Sequence, residues 1–129
     1  MAKYQMDLNE FSFNKIRAGR RIDLRLFDKK RQALKIGDVI EYININNPSE
    51  KMECDFLGMA IFENFGTLID CLTPQMIGYQ TKEDLMLRIE RIYPSEMQKQ
   101  FNVAALFLRP KVAVARGYFR DETENERER

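Results

Sequence analysis

The sequence predicts a single α+β domain, built on a small curled sheet or open barrel with helices gathered at one side. Two observations carry that prediction. The first is size with composition. At 129 residues, 44% hydrophobic and 32% charged, the chain has the length of one domain and enough apolar content for its own core without disulfides or metal. The second is the order of hydrophobic patterns. A strand and a helix come first, then a run of strands, then helices, then a last apolar strand, and there is no internal repeat. Pattern alone leaves barrel and open sheet both open.

Taken in order, Lys3 to Leu8 reads as a short strand and Asn9 to Ala18 as a helix. Asn9 is a good N-cap, Leu8 can staple onto Phe13, Ile16 extends the apolar face, and Gly19 suits a left-handed helix end. Arg21 to Phe27 alternates as a strand. Ile22, Leu24 and Leu26 share one face, and Arg21, Asp23, Arg25 and Phe27 share the other. Asp28 to Gln32 reads as a polar turn, Lys35 to Asp38 as a second turn, and Val39 to Ile45 as a strand. Asn46 to Glu50 has hairpin-loop composition. Lys51 to Leu57 returns with Met52, Cys54 and Phe56 on one face, and Gly58 marks a bulge before Met59 to Phe62. Phe65, Leu68, Ile69 and Leu72 have helical spacing, stopped by Pro74. Thr81, with Asp84, caps a helix whose buried stripe is Leu85, Ile89 and Ile92. Pro94 ends that helix, and Ser95 with Gln98 forms a capping box for another. Val103 to Leu108 is apolar enough for a strand inside the sheet. The domain is therefore expected to span residues 1–108. Residues 109–129, ending in DETENERER, are expected to be a charged and partly disordered tail.

Charge and residue types limit the chemistry. There is no histidine, which excludes Ser-His-Asp and Cys-His relays and a histidine base. Cys54 and Cys71 make no zinc pattern, so reduced thiols and neither metal nor cofactor are expected. No run of 18 apolar residues occurs and the first residues lack an apolar leader, so a cytoplasmic protein without a membrane partner is expected.

Net charge is only +1, yet the cations are unevenly spread. Lys15, Arg17, Arg20, Arg21, Arg25, Lys29, Lys30, Arg31 and Lys35 are nine positive residues against two acids, Asp23 and Asp28, in one segment. Arginine forks suit phosphate, and a local patch suffices to attract it. The candidate ligand-binding residues are Arg20, Arg21, Asp23, Arg25, Lys30 and Arg31. Tyr79 and Tyr93 are added as stacking walls, chosen over Tyr42, Phe62 and Phe65, which suit a core. The competing reading is an internal network in which Arg21 and Arg25 clamp Asp23.

The stretch AGRRIDLRLFDKKRQALKIGDVIEY, preceded by Leu8-Asn9 and a helix, resembles the opening signature of ASCH domains. Gly78-Tyr79, then Ile92-Tyr93-Pro94-Ser95-Glu96, then FNVAALFL follow in the order that family shows, so the resemblance covers residues 1–108. It implies a PUA-like β-barrel with flanking helices and a cleft lined by Gly19, Arg21, Asp23 and Arg25, with Arg20 adjacent. It also implies RNA, a nucleotide or a modified nucleoside as partner. One ASCH branch resembles an amidohydrolase that uses lysine, threonine and glutamate. Here Arg21 and Asp23 stand at the lysine and threonine positions, and only Glu83 and Asp84 are available for the glutamate. Arginine is a poor base. A binding module is therefore expected. A nucleoside- or RNA-processing hydrolase with Asp23 as the candidate catalytic residue is the alternative, and a protein-interaction domain is a second one. Oligomeric state is not legible.

Overall fold

The structure is a computed structural model and describes residues 2–111. Strand β1 (Lys3–Leu8) leads into helix α1 (Glu10–Arg17), and β2 (Ile22–Leu26) into the short helix α2 (Lys29–Gln32). Strands β3 (Val39–Asn44) and β4 (Lys51–Phe62) form a hairpin. Helices α3 (Phe65–Leu72), α4 (Pro74–Ile77), α5 (Lys82–Ile92) and α6 (Ser95–Phe101) follow, and β5 (Val103–Pro110) closes the order. The α+β class with a curled sheet and flanking helices is the observed one.

The sheet runs β1-β3-β4-β5-β2, with β1 parallel to β3 and the other neighbours antiparallel. It is a half-barrel whose two edge strands, β1 and β2, are joined by side chains instead of a ladder. Arg25 Nη2 donates to the Asp7 carbonyl at 2.8 Å, and Lys30 Nζ donates to the Gln5 carbonyl. These are alternate carbonyls on the side of β1 turned away from β3. Two cations thus occupy acceptors that a further strand would have used.

Two apolar clusters share strand β5. Inside the curl, Met6, Ile40, Tyr42, Cys54 and Phe56 meet Phe13 and Ile16 of α1 and Ala104, Leu106 and Leu108 of β5. Outside it, Ile22 and Leu26 meet Phe65, Leu68, Ile77, Leu85 and Ile89 of the helices, with Val103 and Ala105 of β5. Being covered on both faces is why β5 is almost wholly apolar. β2 alternates as expected, with Ile22, Leu24 and Leu26 toward the helices. In β4 the register against β5 slips between Phe56 and Gly58, where Gly58 has φ +147°.

Most local signals operate as read. Asn9 and Thr81 each accept from a backbone N–H in the first turn of their helices, and Asn64, not singled out in the sequence, does the same for α3. Five expectations are corrected. Asp28 to Gln32 is not a bare turn: Asp28 caps α2 by accepting from Arg31 N. Pro74 both follows α3 and opens α4, since a proline at the first helical position loses no needed donor. Ile92 is 51% exposed: it stays on the stripe of Leu85 and Ile89 but stands at the last turn of α5, in the wall of an open slot and not in the core. Ser95 and Gln98 make no capping box. Gln98 is buried and joins helices instead, accepting from Phe65 N at 3.0 Å and donating to Tyr93 O at 2.9 Å. Finally, β5 runs through Pro110, past the expected end at Leu108, with Arg109 paired to Asp55 at 3.2 Å. The expected tail from residue 112 onward lies outside the described residues. Among the described residues no helix is long and apolar enough to cross a membrane.

Candidate nucleotide cleft

The cleft opens at the free edge of β2. Leu108 N donates to Arg21 O at 2.8 Å and Phe27 N to Asn102 O at 3.0 Å, so Arg21, Asp23, Arg25 and Phe27 are the positions that bond to β5. The alternation of an antiparallel ladder then turns the N–H and C=O of Leu24 outward. Leu24 lines a slot of about 60 Å³ together with Ser12 of α1, Arg20, Asp23, Tyr79 and Arg88. Tyr93 also lines it. A wider, shallower depression of about 490 Å³ adjoins the slot and shares Tyr79 and Arg88 with it. Lys15, Arg91 and Phe11 line this outer part.

Asp23 and Arg25 lie at the base. Asp23 is 3% exposed and Arg25 is 7% exposed. Arg25 Nε donates to Asp23 Oδ2 at 2.8 Å, and Tyr42 OH donates to the same oxygen at 2.7 Å. Burial opposes the charge on Arg25, but attraction to Asp23 outweighs it and holds the guanidinium above its ordinary value. Burial pushes the Tyr42 phenol well above its usual value, and the Asp23 charge adds to that. The phenol is therefore a permanent donor. Both donors go to Oδ2, which leaves Oδ1 of Asp23 without a donor among the described residues, in a side chain that lines the slot.

The rim is built differently. Gly78 has φ +94°, and an added Cβ would stand 3.4 Å from Cδ of Arg20. Glycine lets the loop after α4 lie against the Arg20 stem. Lys15 Nζ fastens the same loop by donating to Gly78 O at 3.3 Å. Tyr79 is thereby set beside Phe11 with ring centroids 5.9 Å apart. The guanidinium of Arg88 lies 3.9 Å from the Phe11 centroid and 5.9 Å from that of Tyr79. A stacked guanidinium keeps its N–H edge available for an anion. Among the described residues Arg20 Nε is buried without a hydrogen-bond partner, an unmet donor beside the slot. Tyr93 stacks on Phe65 with centroids 5.6 Å apart, and burial raises its phenol above the ordinary value.

Of the residues picked from sequence, Arg20, Asp23, Tyr79 and Tyr93 meet in this slot. Arg25 stands behind it as the partner of Asp23. Arg21 does not join them. It is exposed, on the other side of the turn between α1 and β2, in a separate groove. Lys30 is committed to the Gln5 carbonyl, and Arg31 to Asp28 at 3.0 Å. The nine cations are thus not one patch. Arg88, Phe11, Lys15 and Ser12 complete the cleft. Arg88 carried no sequence signal, because it sits on the polar face of an ordinary amphipathic helix.

The chain is similar to hypothetical protein PH0355, known from a crystal structure, at 25% identity and a TM-score of 0.74 over 84% of this chain and 99% of that one. It is also similar to protein PF0455 from Pyrococcus furiosus, known from a solution NMR structure, at 22% identity and a TM-score of 0.69 over 85% of this chain and 98% of that one. These likenesses show the fold and span nearly the whole of both relatives. No protein-family model matches the chain, nor does any curated protein.

Proposed function

We propose that the chain is an ASCH-like binding module whose cleft takes one unpaired nucleotide of an RNA. One observation carries this reading: the slot gathers, among the described residues, a guanidinium donor and a carboxylate oxygen that have no hydrogen-bond partner, beside the half-buried ring of Tyr79. A nucleotide supplies the complement of each. Its phosphate accepts from Arg20 and Arg88, its exocyclic amine donates to Asp23 Oδ1, and its ring stacks beside Tyr79 and Phe11. The slot of about 60 Å³ admits the edge of a base, and the outer depression of about 490 Å³ holds the sugar and phosphate. Stacking of this kind contributes about 1–3 kcal/mol per base.

Fluorescence anisotropy with a labelled single-stranded RNA, at low and physiological salt, tests the reading. Salt-sensitive binding that Arg20→Ala with Arg88→Ala abolishes, while the fold is kept, supports it. Equal binding by wild type and the double variant would place the ligand elsewhere. Binding of a free nucleoside monophosphate as tight as that of RNA would make the nucleotide itself the ligand.

A further inference from the structure

On the far side of the turn between α1 and β2 lies a second basic groove, of about 660 Å³. Arg17 from the end of α1, Arg21 from the turn, Lys51 from the start of β4 and Lys111 after β5 line it. Four cations from four stretches of chain converge there, and among the described residues the one acid in its wall, Glu53, is held by Lys3 at 2.6 Å. Arg17 donates to the neutral Asn14 Oδ1 at 2.6 Å and has a long contact to the acid Glu50, at 3.5 Å, and Lys111 has one to Asp55, at 3.9 Å. Arg21 and Lys51 form no ion pair among the described residues. Gathering like charges is unfavourable unless a polyanion answers them. Among the described residues the groove has no aromatic in its wall, in contrast to the cleft, so these residues offer phosphate contacts without a stacking platform.

Arg20 and Arg21 join the two sites. Successive residues entering a strand point to opposite sides, so one arginine faces the cleft and the next faces the groove. We infer that the turn from Ala18 to Arg21 is a saddle crossed by a single-stranded nucleic acid, with one nucleotide in the cleft and the flanking phosphates in the groove. The inference rests on the nucleotide reading of the cleft and adds that the ligand is a strand, not a free nucleotide. The cleft supplies base contacts. The groove supplies affinity that is blind to sequence.

The test compares an oligocytidylate of about eight nucleotides, within the span such proteins cover, with cytidine monophosphate, since cytosine carries the exocyclic amine that Asp23 would accept from. Wild type, Arg21→Ala with Lys51→Ala, and Arg20→Ala with Arg88→Ala are each titrated with both ligands over a salt series. The groove variant should lose about tenfold in affinity for the strand at low salt, and its log–log salt slope should fall by about 1.4, two phosphates at about 0.7 each. Its affinity for the monophosphate should not change. Both groove residues are exposed, so its thermal midpoint should match wild type. If the strand binds the groove variant as tightly as wild type but is lost by the cleft variant, the saddle is wrong and the cleft reading stands. If the strand binds neither wild type nor variant, both readings fall.

Discussion

Arg20 and Arg25 lie in the same basic run of sequence, yet the fold uses them in opposite ways. Arg25 is spent inside the molecule, where its guanidinium holds Asp23 and the Asp7 carbonyl and so ties β2 to β1. Arg20 is half-buried, with its stem against Gly78, and its Nε is a donor without a partner among the described residues, beside the slot. The first side chain is a structural tie and the second is available to a ligand. Charge density along a sequence cannot separate the two, because the difference lies in which acceptors the sheet brings within reach.

Four changes break or sharpen that contrast. Arg25→Ala should have the largest effect. It leaves the Asp23 charge buried without its partner and strips the Asp7 carbonyl of its donor, so a loss of about 3–5 kcal/mol is expected in urea unfolding. A smaller loss would mean that water enters the seam and replaces the guanidinium. Tyr42→Phe removes one of the two donors to Asp23 Oδ2 and should cost about 1.5–3 kcal/mol in the same measurement. Arg88→Ala belongs to the open side of the comparison. It should weaken RNA binding about tenfold, equivalent to about 1.4 kcal/mol, while unfolding stability stays within about 0.5 kcal/mol. A large fall in stability would move Arg88 into the structural group.

The smallest effect concerns acid. Asp38 accepts from Ala2 N and Lys35 N at 2.9 and 2.8 Å, and these backbone donors hold its carboxyl below the ordinary value. A depressed carboxyl contributes stability that is present above its unfolded value, near 4, and is lost as pH falls through the folded one. Thermal melts between about pH 5 and pH 2 should therefore show wild type losing stability that Asp38→Asn lacks throughout. Parallel curves for the two proteins would remove Asp38 as the cause.

Much of the fold was legible because its signals are local. Asn9, Thr81 and Gly58 act through backbone geometry that neighbours in sequence settle, and the alternation of β2 sorted its faces correctly. Gln98 misled for the opposite reason. Its position fits a capping box, but a buried amide that can reach both Phe65 N and Tyr93 O satisfies two backbone groups that the packing of α3 and α6 would leave dry. The cleft was half legible. Asp23, Arg20, Tyr79 and Tyr93 stood out by charge pattern or by position beside glycine and proline. Phe11 and Arg88 did not, since nothing in α1 or α5 alone says that these two helices face each other across the end of β2.

By itself the sequence determined the α+β class, most element boundaries, the double burial of β5 and the absence of histidine chemistry, all of which follow from residue type and short-range period. Only the tertiary structure decided that β1 and β2 meet across a seam closed by Arg25 and Lys30. It also sent Arg20 and Arg21 to different sides of a turn, and brought α5 over the edge of β2 so that Arg88 joins the cleft. Those outcomes depend on how far the sheet curls, and curl is set by packing between residues distant in sequence, which no local pattern encodes.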